Sequence, residues 1–494
     1  MRQQSSNLLQ KARQYEEEKK KNISVEERPV FHVSSPVGWI NDPNGFSEYQ
    51  GEYHLFYQYH PYTNHWGPMH WGHSKTKDFI KWEYLPTALA PDKDYDHAGC
   101  FSGSAVEVDG KHLLMYTSVE ERELEDGEKE VRQRQCIAFG DGVNYEKVEQ
   151  NPVITADMLP EGSSLVDFRD PKIWREDGKF YAVIGSRHAD TSGQIPLFSS
   201  EDGMQWKFET ILERCKNEYG SMWECPDFFQ MGEKHVLIAS PQNMVAKELE
   251  FHNGNNAIWL VGTYDKEKKQ FVRESVKSID YGLDFYAPQT METSDGRRIM
   301  IAWMQSWDTY MTPADAKWSG MMTVPRELTI KNGKLYQLPV REMEQYYTNT
   351  VEMKQISMEN ETKQFDSIKG RVLDFCVEIE EGEYEQFSIQ VAKNDSFYTE
   401  ISYEPKKQEL VFDRTYSGID RDILCRRAAK VESKNGKIKL RILLDRYSVE
   451  IFVNDGETAM SNVIYTKKEA EEITFTCEGK AVFNLKKHEI QIEE

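Results

Sequence analysis

Residues 41–59 read NDPNGFSEYQGEYHLFYQY. The first five are residues that bend a chain. The last six, from His54, are an aromatic run of the kind that forms a strand. The pairing recurs. "HLLMYTS" starts at His112, "KFYAVIGS" at Lys179, "HVLIASP" at His235 and "RIMIAWM" at Arg298, giving spacings of about 58, 67, 56 and 63 residues. Several runs are trailed by a turn and a second aromatic strand, as in "SKTKDFIKWE" and "SSEDGMQWKFE". Five units near 60 residues long, each with room for about four short strands, predict a five-bladed β-propeller. An irregular β-sandwich is the alternative that periodicity leaves open.

Just upstream of the runs stand "NDPNGF", "FSGSAV", "RDPKIW", "ECPDFF" and "YAPQTM". Four share a proline, at Pro43, Pro171, Pro226 and Pro288, and Gly103 takes the equivalent place in the other. If each motif precedes the same strand of its blade, all five surround the central channel. Asp42, Asp170 and Glu224 then converge at one mouth.

The rest of the chain fits this frame. At 494 residues it exceeds one ordinary core. Residues 1–30 read as a charged helical extension with a thin apolar stripe of Leu8, Leu9, Ala12 and Tyr15, and residues 31–340 as the propeller. Residues 341–354, with "REMEQYYTN", read as a linker. In 355–494, alternating runs such as "EQFSIQVAK" and "YSVEIFVNDG" indicate an antiparallel β-sandwich. The fold class is therefore all-β, with a short N-terminal helix.

The formal net charge of -22 argues against nucleic acid and anionic membranes as partners. No apolar run approaches a membrane span, and the N-terminus lacks an apolar signal core. The seven cysteines are scattered, without CxxC spacing. Together these predict a cytoplasmic protein.

Carboxylates packed in one pocket shift each other's pKa values, and a carboxylate pair is the usual equipment for cutting glycosidic bonds. Glu224, between Trp223 and Cys225, is expected in an apolar setting suited to an acid. Asp42, beside Asn41 and Asn44, is expected to be held ionised by their amides. Any one of these acids alone could be a turn or cap residue. Their shared place in the repeat is what favours chemistry.

These residues carry a resemblance. "WINDPNG" at 39–45, "FRDP" at 168–171 and "WECPD" at 223–227 resemble the three signature blocks of glycoside hydrolase family 32, the invertases and β-fructofuranosidases. "FSGSA" at 101–105, "GMMTVPRELTI" at 320–330 and "DRYSVEIFVNDGE" at 445–457 are also similar to family segments. The resemblance implies a five-bladed propeller followed by a sandwich. It implies retaining hydrolysis of terminal β-fructofuranosides, from sucrose or sucrose 6-phosphate, with fructo-oligosaccharides or fructans as the alternative. By resemblance Asp42 is the nucleophile, Glu224 the acid and base, and Asp170 a transition-state stabiliser. Retention requires the Asp42 and Glu224 carboxyls about 5–6 Å apart. Trp39, Asn41, Gln58, Trp66, Phe101, Ser102, Arg169 and Trp303 are the implied sugar-binding positions, though a packed strand aromatic explains Trp303 as well. A non-catalytic sugar-binding protein is the reading of another class, and the three intact acids weigh against it. Ile40 and Tyr447 depart from common family residues but touch no proposed catalytic group.

A phosphorylated sugar needs Arg or Lys at the rim. Lys75, Lys77, Arg187 and Arg297 are the candidates. His65, His70 and His73 cluster in "NHWGPMHWGHS", which reads as a loop, but their spacing is irregular and lacks a carboxylate, so no metal site is assigned. Cys225 has no evident base to make it a nucleophile. The charge run at 119–135 reads as a solvated loop. No cofactor is expected, the only partner expected is the small-molecule sugar, and the sequence leaves oligomeric state open.

Overall fold

The computed structural model describes residues 6–124, 127–309, 316–380 and 382–493. Five antiparallel sheets, each containing one of the five motifs, form the blades. Their innermost strands are Gly38–Tyr49, Gly99–Val108, Ser163–Glu176, Met222–Met231 and Tyr286–Glu292. The aromatic runs are the second strands, at Glu52–His60, Lys111–Glu123, Lys179–His188, Lys234–Gln242 and Arg298–Trp303. A short strand, Trp318–Ser319, returns from the last blade and pairs in parallel with Gly38 and Trp39 of the first. Gly320 follows at φ +89°, where a Cβ would come within 2.1 Å of the Ile40 carbonyl oxygen. Only glycine permits that closure.

The motifs are not turns. Each lies within its inner strand and bulges it. The ladder slips between Ile40 and Pro43, Phe101 and Gly103, Arg169 and Lys172, Glu224 and Asp227, and Tyr286 and Gln289. Proline has no N–H for the ladder, so it sits where the ladder is interrupted. Asp170, Cys225 and Ala287, each just before its proline, adopt positive φ of 66°, 45° and 52°. The bulge re-aims these residues toward the channel.

Beyond Arg341–Tyr346, a 3₁₀ turn, a long strand starts at Tyr347, inside the stretch expected as linker. The second unit is one ten-stranded sheet folded on itself, with its last strand, Glu472–Ile490, central. It docks through Phe452, Ala459 and Ile490 on propeller residues Phe31, Ile299 and Ile301, all in one buried cluster.

The N-terminal helix spans Asn7–Lys19, shorter than expected, and Ser6 caps it. Leu9, Ala12 and Glu16 form its buried face, whereas Leu8 faces solvent. The charge run is a hairpin, with Glu123 paired to Lys129 across it, and its residues 125 and 126 lie outside the described residues. The repeat supplied the pattern that its charges hid. His70 and His73 lie on a strand and not in a loop, and His73 Nε2 sits 2.9 Å from His54 Nδ1. Among the described residues, no helix is long and apolar enough to cross a membrane.

Candidate active site

The bulges bring the three acids to one mouth of the channel. Asp42 comes from the first blade, Asp170 from the third and Glu224 from the fourth. Ser102, on the second blade at the place of Asp42, donates to Asp42 Oδ2 at 2.7 Å. Asn41 Nδ2 donates to Asp42 Oδ1 at 3.1 Å, and Trp39 Nε1 fixes the other end of that amide at 2.8 Å. Asn44 does not donate to Asp42; its Oδ1 accepts from the Gly103 N–H at 3.3 Å.

Cys225 joins the acids. Its Sγ lies 3.5 Å from Asp42 Oδ2 and 3.6 Å from Asp170 Oδ2, and its N–H donates to Asp170 at 3.1 Å. Counting back from proline, Asp42, Asp170 and Cys225 are equivalent, so Glu224 stands one residue earlier than the other two acids. The equivalence expected of all three acids holds for two.

Glu224 is not in an apolar setting. Alternation along the strand turns Trp223 into the core, where its ring packs on Gly193. Glu224 faces the channel, with its side chain 13% exposed. Arg169 Nε donates to its Oε1 at 2.9 Å, and the Tyr286 hydroxyl to its Oε2 at 2.6 Å. Arg169 also donates to Gln133 at 3.1 Å and to Asp167 at 3.2 Å.

Burial pushes Asp42 above the usual carboxylate range, and the charge of Glu224 adds to it; the bonds from Ser102 and Asn41 pull the other way. Of the two expected donors Asn41 is in place and Asn44 is not, Ser102 donates as well, and desolvation outweighs these bonds. Asp170 is pushed up to about 7 by burial and by Glu224, against the pull of Arg169.

The implied sugar-binding residues divide. Asn41, Ser102 and Arg169 touch the acids directly. Gln58 is buried and donates to the Cys100 carbonyl at 3.0 Å. Trp66 stands on the rim, 49% exposed, with its ring edge-on to Phe101 at 6.1 Å. Trp39 and Trp303 are fully buried and pack together at 5.8 Å, joined by Trp307. They form a wall behind the acids and present no open ring face.

Tyr286, Gln133 and Asp167 are contacts that the sequence reading missed, and Cys225, expected only to tune the polarity around Glu224, bonds to Asp42 and Asp170. Tyr286 was legible: it stands two residues before Pro288, as Glu224 stands two before Pro226. Gln133 and Asp167 carry no such signal, since ordinary polar residues acquire meaning only from their neighbours in space.

Two family models match the chain. One described as the glycosyl hydrolases family 32 N-terminal domain covers residues 32–339, and one described as the family 32 C terminal covers 342–492. The chain is 36% identical to a raffinose invertase of Escherichia coli over 92% of its own length and 93% of that protein. It is 35% identical to a sucrose-6-phosphate hydrolase of Escherichia coli over 92% of this chain and 93% of that one. In structure it is similar to a family 32 β-fructofuranosidase of Bombyx mori, with a TM-score of 0.86 at 30% identity and 99% of each chain covered.

Proposed function

The chain belongs to glycosyl hydrolase family 32, and from that premise we propose that it is a retaining β-fructofuranosidase releasing terminal fructosyl units from sucrose or sucrose 6-phosphate. Asp42 attacks the anomeric carbon of the fructosyl unit. Glu224 gives its proton to the glycosidic oxygen, and the glucosyl part leaves. Glu224, now a base, takes a proton from water, which attacks the fructosyl ester and frees Asp42. Asp170 accepts hydrogen bonds from sugar hydroxyls that tighten as positive charge develops at the reacting carbon. Asn41, Ser102 and Arg169 orient the acids, while Trp66 offers an apolar face to the sugar's C–H surface.

The observation that carries this reading is the shared donor framework: one thiol within 3.6 Å of both Asp42 and Asp170, on the residue that follows Glu224. Burial of neighbouring carboxyls is costly, and reaction chemistry supplies the reason for it. The seven cysteines are all unpaired, which suits work in the reducing cytoplasm.

The test is fructose release from sucrose, sucrose 6-phosphate, kestose and inulin, measured side by side. Hydrolysis of the first two is expected. Glu224→Gln should lose about 10²–10⁴-fold in kcat, the range for a general acid, and Asp42→Asn at least as much. Addition of methanol should give the β-fructoside, the product of a retained configuration. Parental rates in both variants would remove the assignment, and preference for kestose or inulin would move the enzyme to fructans.

A further inference from the structure

Resting on that reading, the structure assigns the recognition of a 6-phosphate on the leaving group to Arg187. Glu224 must reach the glycosidic oxygen, so the glucosyl unit lies beside Glu224. Of the two partners of Glu224, Tyr286 is buried, and Arg169 starts a chain that leads out to exposed side chains. Glu224 holds Arg169 at 2.9 Å, Arg169 holds Asp167 at 3.2 Å, and Asp167 Oδ2 lies 3.6 Å from Arg187 Nη1. Arg187 is on the second strand of the third blade, where its neighbour Ser186 pairs with Phe168.

Arg169 is spent on Glu224 and Gln133. Arg187 is not: its side chain is 41% exposed, that of Asp167 is 28% exposed, and the pair is loose. An exposed pair of that kind contributes little and is readily exchanged. A guanidinium offers a phosphate two parallel donors, so exchange replaces a weak contact with a strong one. The need is local, because a protein with a net charge of -22 repels a phosphorylated sugar.

The other cations considered are engaged or misplaced. Lys75 pairs with Glu52 and Glu83, and Lys77 lies 3.9 Å from Glu52, toward the far end of the first blade. Arg297 pairs with Asp295 and Glu342 at the far end of the fifth. Arg132 and Arg134 flank Gln133, which faces Arg169, so alternation turns both away, toward Glu130 and Glu120. Arg214 reaches Asp190 from the outermost strand, further from the channel.

The test compares kcat/KM for sucrose 6-phosphate and sucrose in the parent, Arg187→Ala and Arg187→Lys. The parent should favour the phosphorylated sugar. Arg187→Ala should lower that ratio about ten-fold or more, the scale of one lost charged hydrogen bond, chiefly through KM. Arg187→Lys should recover part of it as a point charge. Glucose 6-phosphate should inhibit the parent more than glucose does, and Arg187→Ala should erase that difference. A parental ratio near one, or a ratio unmoved by Arg187→Ala, overturns the assignment while the hydrolase reading stands. A parent that releases fructose from neither sugar removes the reading itself, and the assignment with it.

Discussion

To attack a sugar, Asp42 must be ionised, and its surroundings oppose that. Burial and the charge of Glu224 raise its pKa, while the hydroxyl of Ser102, 2.7 Å away, lowers it. Asp170, the other carboxyl on Cys225, is raised to about 7 by burial and the same glutamate. Both carboxyls are raised, so the acid limb of kcat/KM should lie above the ordinary carboxylate range. Removing a hydrogen bond to the charged form moves that limb further up. Ser102→Ala should therefore shift the acid limb to higher pH and cut kcat/KM at neutral pH by about ten-fold, as expected for one bond to a charged group. A pH–rate profile checks both. A profile displaced downward, or superimposed on the parent's, would mean that Ser102 does not hold Asp42 ionised. These contacts were partly legible. "FSGSA" flags Ser102 by its place in the repeat, but its bond to Asp42 joins residues 60 apart, and only closing the ring brings them together.

The N-terminal helix shows what one element adds. It covers Trp82–Leu89, the outer edge strand of the first blade, which would otherwise offer unpaired backbone groups. Arg13 Nε donates to the Thr87 carbonyl at 2.8 Å, and Glu16 accepts from the Thr87 hydroxyl at 2.7 Å. Tyr15 meets Tyr62 edge-on at 5.1 Å and donates to its carbonyl at 3.3 Å. Tyr62 belongs to the loop that carries Trp66, and Asn64 of that loop donates to the Ala316 carbonyl at 2.8 Å. The helix thus steadies the rim that carries the exposed tryptophan. Tyr15→Ala should raise KM for sucrose a few-fold, about 1 kcal/mol for a lost aromatic contact and hydrogen bond, and leave kcat nearly as it was. Steady-state kinetics decides: a loss confined to kcat would place the effect on the acids instead. The sequence revealed the helix and its apolar stripe. It did not reveal that Glu16 faces inward, because a buried carboxylate is readable only from the hydroxyl that receives it.

At the scale of the whole molecule, the two units are held by buried charge. His32, ahead of the first blade, lies 2.8 Å from Asp445 through Nδ1 and 2.8 Å from Glu450 through Nε2. Arg326 of the fifth blade reaches Glu450 at 2.6 Å and Asp280 at 2.9 Å. Burial alone would lower the His32 pKa, but the bonds to Asp445 and Glu450 win and raise it to about 9 from its ordinary 6.5. The raised value means a stabilising contribution that is full below pH 6.5 and is lost as pH rises through about 9. His32→Ala leaves two buried carboxylates short of a cation and should cost about 3–5 kcal/mol. Urea denaturation across pH checks this: the parent should weaken between neutrality and pH 9 more steeply than the variant. Equal slopes would show that His32 is not the group responsible.

The sequence by itself determined the strand repeat, the five equivalent motifs and the presence of acids in three of them. Those follow from local chemistry: aromatic strand runs, and prolines that cannot join a ladder. It also determined which residue types were on hand for glycoside chemistry. Tertiary structure decided the rest. It made the apparent turns into bulges and supplied Tyr286 and Arg169 as the partners of Glu224. It placed Arg187 on Asp167, in the chain of contacts that starts at Glu224. The reason is physical. A residue's period and type are fixed along the chain, but burial, charge and donor geometry depend on neighbours that only the closed ring of blades assembles.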